Sequence, residues 1–153
     1  MRPSEVYGAN RGSVPDGLRR AARTENSGVR FLSFDESRQF ESVSMDLFPA
    51  ESTGGLDWSS TPDAETHIYE DEADAVMLVR QLVVDRIDRE PVVVLFWGSL
   101  DLPSMLLPAS TLISHVESVV EVGPVFWVFA PERRVLLECR PSGEITVAVT
   151  PPT

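Results

Sequence analysis

The chain has no lysine and few positive charges of any kind. Its 13 cationic residues are all arginine, and 24 aspartates and glutamates oppose them, so the formal net charge is −11 over 153 residues. Nucleic-acid phosphates and anionic membrane surfaces both require a basic face, so this composition argues against direct binding to either. The missing lysine also excludes the phosphate-binding P-loop, whose motif contains one.

Cysteine and long hydrophobic runs are equally scarce. Cys139 is the single cysteine, so an internal disulfide is impossible, as is typical of a reducing compartment. The longest apolar run, Val92–Trp97, is far too short for a membrane span. The first residues lack the apolar stretch of a secretory signal. We therefore expect a cytoplasmic protein without a membrane partner.

Catalytic and cofactor motifs are also missing. His67 and His115 belong to no paired-histidine motif, and neither a nucleophile elbow nor a glycine-rich nucleotide loop occurs. Cys139 alternates with Val135 and Leu137 on a predicted strand, which indicates a small core residue. The acids lack calcium-loop spacing. We expect no enzyme activity, no cofactor and no metal, although a nucleophile arrangement of histidine with cysteine or serine stays an open alternative.

Composition divides the chain near residue 28. Residues 1–28 contain several prolines and glycines with little apolar periodicity, which predicts a flexible N-terminal arm with room for a short helix over 16–23. Patterned sequence follows. We expect residues 29–150 to form a single α+β domain built mainly on an antiparallel sheet.

The clearest elements lie in the second half of this domain. Apolar spacings of three and four predict helices over 71–88 and 110–122, with Ser110 as a candidate N-cap of the second. Val92–Trp97 is typical of a central strand buried on both faces. Three strands separated by short turns then predict a C-terminal meander over 125–149. Weaker patterns predict strands over 29–34, 43–48 and 66–69, a loop over 49–65 with Trp58 reaching the core, and no assignment over 100–109.

Adjacent aromatic residues on two predicted strands add a further constraint. Phe96 and Trp97, like Phe126 and Trp127, must point to opposite faces of the sheet. Both faces must therefore be covered, or one of them is a partner surface.

The negative charge is unevenly placed. Residues 66–121 carry ten acids and three arginines, whereas residues 122–153 carry three of each. This distribution suits either a solvated, well-capped helix face or an acidic docking surface for a basic partner, which would be steered at long range. The candidate docking residues are Glu70, Asp71, Glu72, Asp74, Asp85, Asp88 and Asp101.

The segment 66–150 resembles small bacterial immunity proteins that neutralise polymorphic or contact-dependent growth inhibition toxins. The resemblance is carried by DEADAVMLVRQLV (71–83), VVVLFW (92–97) and VFWVFAPERRVLLECRPSGEITVAV (125–149). It implies a cytoplasmic, non-enzymatic inhibitor that binds a cognate toxin domain, often a nuclease. A nuclease presents a basic cleft, which an acidic inhibitor complements.

Two other classes of function stay open. One is an accessory or regulatory interaction protein, such as a homodimer formed through exposed sheet aromatics. The other is a small enzyme or ligand-binding domain, which a deep pocket holding His67 or His115 beside a carboxylate would favour.

Overall fold

A single seven-stranded antiparallel sheet organises the computed structural model, which describes residues 2–52 and 54–152. The strand order is β1-β4-β3-β5-β6-β7-β2, so β1 and β2 form the two edges. The last three strands are neighbours in sequence order, and this confirms the C-terminal meander and the α+β class. The strands are β1 (Arg30–Phe31), β2 (Glu65–Ile68), β3 (Val92–Trp97), β4 (Met105–Pro108), β5 (Phe126–Ala130), β6 (Val135–Cys139) and β7 (Glu144–Val149).

Two long helices and three shorter ones accompany the sheet in the described part of the chain. The two long helices, α4 and α5, pack against each other, and both agree with the helices expected from apolar spacing. The helices are α1 (Pro3–Val6), α2 (Asp16–Arg23), α3 (Phe34–Ser42), α4 (Glu72–Arg86) and α5 (Ala109–Val122).

The two faces of the sheet are covered by different parts of the chain. Trp97 and Phe126 lie in a large core with α2, α4 and α5. Phe96 lies in a second core, against which Trp127 packs, and residues between 32 and 58 cover that face. Strand alternation thus assigned the members of each aromatic pair to opposite faces correctly, and described residues pack against both faces of the central strands.

One expected strand is wrong, and another is shorter than expected. Residues 43–48 contain a 3₁₀ helix, Met45–Leu47, instead of a strand, and the expected strand over 29–34 is reduced to β1. The strand expected over 29–34 ends early because a capping box follows it. The Ser33 hydroxyl accepts from the Glu36 amide, and the Glu36 carboxylate accepts from the Ser33 amide. This reciprocal bonding starts α3 at Phe34, because it satisfies backbone donors that a strand would need to pair elsewhere.

The expected N-cap of α5 is also wrong. Pro108 is the N-cap residue and Ser110 lies inside the first turn of the helix. Proline at this position donates no hydrogen bond, and its fixed φ suits the entry to a helix.

Residues 2–28 are tied to the domain at several points. Helix α2 occupies the range in which a short helix was expected, and Val14 and Leu18 are fully buried in the larger core. The Tyr7 hydroxyl donates to the Leu32 carbonyl at 2.7 Å and accepts from the Ser104 amide at 2.8 Å. The expected domain began at residue 29, because the glycines and prolines before it gave no apolar pattern. The contacts of Tyr7, Val14 and Leu18 with the domain were therefore not predicted.

Candidate functional site

The N-terminal end of α4 carries the densest group of exposed acids. Asp71 is the N-cap and accepts from the Asp74 amide at 2.8 Å, while Asp74 accepts from the Glu70 amide at 2.9 Å. Negative charge is favourable here because the helix dipole is positive at this end. Glu70 and Glu72 are exposed, and within the described residues no arginine forms an ion pair with any acid of this group. We call Glu70, Asp71, Glu72 and Asp74 the helix-start acids.

The opposite end of α4 has mixed charge. Asp88 accepts from the Arg89 amide at 2.7 Å and lies 3.9 Å from the Arg133 guanidinium, and Asp85 is followed by Arg86. A helix of 15 residues is about 22 Å long, so Asp85 and Asp88 lie at the far end of α4 from the helix-start acids. The structure therefore divides the candidate set.

Asp101 lies apart from both groups. It follows β3, accepts a hydrogen bond from the Ser99 hydroxyl, and receives the Asn10 amide on its backbone carbonyl at 2.8 Å. Strand directions put it at the same end of the sheet as the helix-start acids. Strand order, however, separates β3 from β2 by three intervening strands, which is about 19 Å across the sheet.

A buried carboxylate that the sequence analysis did not single out lies on the second face of the sheet. Glu138 is 1% exposed and accepts from the indole groups of Trp58 at 2.9 Å and Trp127 at 2.8 Å. It also accepts from the Leu56 amide at 2.9 Å and from Arg140 Nε at 2.6 Å. Trp58 thus reaches the core edge as expected. The sequence signal was a glutamate inside the apolar strand VLLEC, two residues before an arginine on the same face.

Arg140 links this carboxylate to the loop that follows α3. Its guanidinium bonds Glu138 and the Leu56 carbonyl, and lies 3.0 Å from Glu51. Burial acts to lower the pKa of Arg140, but the Glu138 hydrogen bond and the neighbouring carboxylates outweigh it and raise that pKa. The loop approaches so closely that a Cβ on Gly55 would lie 2.7 Å from the guanidinium carbon.

A cavity of about 380 Å³ adjoins this cluster, with Gly98, Val125 and Trp127 among its walls. Its charged groups, however, already bond each other. Glu138 accepts four hydrogen bonds, one of them from Arg140. Arg140 also donates to Glu51 and to the Leu56 carbonyl. The arrangement is that of a structural clamp, because these hydrogen bonds attach Glu51, Leu56 and Trp58 to the sheet.

Cys139 lies on the helix-covered face of the sheet and is completely buried. Burial raises the pKa of its thiol to about 12, which a hydrogen bond from Tyr69 opposes and the Glu138 charge assists. A thiol with this pKa is protonated at neutral pH and is therefore a poor nucleophile. The prediction of a small core residue is confirmed.

The two histidines have separate surroundings. His115 is bonded through Nδ1 to the Thr111 carbonyl at 2.8 Å, within its own helix. His67 lies on β2, and its Nε2 is buried without a hydrogen-bond partner, 3.6 Å from the Glu65 carboxylate. This pair lines a groove of about 220 Å³ between β2 and α4. That volume is below the roughly 300–1,000 Å³ of small-molecule sites.

Residues 2–52 and 54–152 contain neither a candidate metal cluster nor a candidate membrane-spanning helix. In this part of the chain no three histidine, cysteine or acidic side chains converge in a way that could hold a metal ion. No helix there is both long and apolar enough to cross a membrane. The sequence matches no protein-family model and no curated protein.

Proposed function

We propose that the protein is an immunity protein that binds and neutralises a cognate, basic bacterial toxin domain. The observation that carries the proposal is the exposed negative charge of the helix-start acids, which no arginine in the described residues neutralises. The resemblance of residues 66–150 to immunity proteins supports it, as does the net charge of −11. Exposed like charges on one surface attract an oppositely charged partner from a distance.

The helix-start acids differ in the hydrogen bonds that they make within the protein. Asp71 and Asp74 are engaged in starting α4, so their carboxylates serve the fold as well as any partner. The side chains of Glu70 and Glu72 are exposed, and neither accepts one of the hydrogen bonds that start α4. We therefore place the strongest contribution at Glu70 and Glu72, and assign a smaller one to Asp88, which lies among arginines.

The toxin would be met by charge-assisted hydrogen bonds between these carboxylates and its lysine or arginine side chains. A basic cleft covered in this way cannot reach its own substrate. Exposed charge contributes mainly to the rate of association, so the complex should form more slowly as salt increases.

The test reverses two charges at each end of the molecule. Glu70→Arg with Glu72→Arg changes the helix-start acids. Glu90→Arg with Glu132→Arg makes the same total change at exposed acids in the loops before β3 and β6. Both pairs are compared for association rate with a candidate toxin domain, taken from a neighbouring gene that encodes one, and for rescue of cells that express this domain.

We expect the first pair to slow association about tenfold or more at low salt and the control pair to change it much less, since steering depends on charge near the contact. Thermal unfolding of each variant checks that α4 is intact. Equal rates for the two pairs would place the contact elsewhere. Failure of the unmodified chain to rescue cells from that domain would remove the proposed function itself.

A further inference from the structure

One edge of the sheet is open. Within residues 2–52 and 54–152, β2 pairs with β7 on one side, and no described strand lies on its other side. The Tyr69 amide bonds the Gly143 carbonyl in continuation of this register, so the odd-numbered residues of β2 direct their backbone bonds toward β7. Thr66 and Ile68 therefore present their backbone N–H and C=O groups on the open side.

This edge carries little of the usual protection against strand pairing. Proteins commonly guard edges with lysine, proline or bulges. β2 contains none of these, and its one charged residue, Glu65, is engaged by Arg86 of α4. Ile68 is 67% exposed, which leaves an apolar side chain beside unpaired backbone.

The groove between β2 and α4 runs along the same edge and carries two carboxylates, those of Glu65 and Asp85. Glu65, His67, Gln81 and Asp85 contribute to its wall. Arg86 is the cation there, and it is already paired with Glu65. Arg80, further up α4, donates to the Ile113 carbonyl of α5, away from this edge.

We propose that β2 receives an extended, basic segment of the partner protein as an eighth strand. Successive residues of an added strand face opposite sides of the sheet. One set, beside His67 and the groove, meets the exposed Asp85 carboxylate, which no arginine of the described residues pairs with, and suits arginine or lysine. The other set, beside Thr66 and Ile68, suits apolar residues. This inference rests on the proposed function and adds the mode of docking to it.

Charge complementarity selects this occupant over a second copy of the chain. Two copies joined edge to edge would bring together two molecules of charge −11, with their helix-start acids close to the shared edge. Like charges in such proximity oppose association, whereas a basic strand gains from the same field.

The experiment uses a fluorescent, end-blocked peptide of alternating arginine and valine. Its control has the same sequence with alternate backbone nitrogens methylated, which keeps the charge and prevents strand pairing. We expect the methylated peptide to bind at least about tenfold more weakly, because several main-chain hydrogen bonds are lost together. Equal affinity of the two peptides would overturn strand addition.

Substitutions in the protein test the same edge. Thr66→Pro removes an outward N–H, and Thr66→Ala is the matched control, since it removes the same side chain and keeps the amide. We expect the proline variant to bind the peptide about fivefold more weakly than the alanine variant. Asp85→Arg provides a second test that leaves the strand backbone unchanged, and Glu90→Arg, outside the groove, is its control. Equal affinities of these two variants for the peptide would contradict the placement of basic side chains beside the groove.

The outcomes separate this inference from the proposed function. If the toxin complex responds to Glu70→Arg with Glu72→Arg but not to Thr66→Pro, the immunity function stands and docking on β2 is wrong. A salt-resistant dimer that Thr66→Pro dissolves would instead assign the edge to a second copy, and would equally overturn the proposal.

Discussion

At the scale of single residues, Glu138 is the most constrained side chain of the described chain. It is a buried anion that holds two indole groups, a backbone amide and a guanidinium in one cluster. Removing one partner of a buried charge pair is costly because the other charge stays buried without compensation. Glu138 therefore holds Leu56 and Trp58 against the sheet.

Glu138→Gln should lower the free energy of unfolding by about 3 kcal/mol, since the amide offers donors where four donors already converge. Glu144→Gln is the matched control: this residue is half-buried and bonds Ser142, so its change should stay within about 0.5 kcal/mol. Urea denaturation followed by tryptophan fluorescence measures both variants. Similar midpoints for the two would show that the cluster contributes little.

At the scale of elements, short-range chemistry decided where helices begin. The capping box at Ser33 and Glu36 starts α3 in a segment whose alternating apolar residues suggested strands. Arg30 contacts Glu36, and the resulting hydrogen bond, with that from the Ser33 amide, lowers the pKa of the Glu36 carboxyl to about 2. The box is therefore ionised and intact across the physiological range of pH.

Ser33→Ala should cost about 1 kcal/mol of stability, because the Glu36 amide loses its acceptor. Ser110→Ala removes the same hydroxyl from a residue of α5 that is not an N-cap, and we expect little loss there. Chemical denaturation of both single variants compares them. A larger effect at Ser110 would contradict the assignment of the caps.

At the scale of the whole molecule, the N-terminal segment contributes to the core, and the charge distribution distinguishes the two ends of α4. Val14 and Leu18 insert into the core shared by α4 and α5, so residues 2–28 contribute to the domain that they precede. The negative charge is divided between an unneutralised end of α4 and an end where arginines accompany it.

Leu18→Ala should destabilise the protein by about 2–5 kcal/mol, as expected for a fully buried leucine whose removal leaves a cavity. Arg20→Ala, at an exposed position of the same helix, should change stability by no more than about 0.5 kcal/mol. Urea midpoints distinguish the two. A detached arm would give both variants the stability of the parent.

The sequence by itself determined the features that depend on local pattern. Apolar spacing located α4 and α5, alternation located the meander and the two-sided burial of the aromatic pairs, and composition determined the charge. Alternation failed over 43–48, where α3 ends at Ser42 and the chain forms the 3₁₀ helix Met45–Leu47 instead of pairing with the sheet.

Tertiary structure alone decided which distant residues meet. Glu138 contacts Trp58 across 80 positions of sequence. β2 lies at an edge of the sheet because its pairing partner is β7, a strand far from it in the sequence. Such pairings depend on the packing of the entire sheet, which no local window of sequence contains. The sequence showed that the seven candidate acids belong to a region with an excess of negative charge. Only the fold showed that the helix-start acids lie apart from Asp85, Asp88 and Asp101.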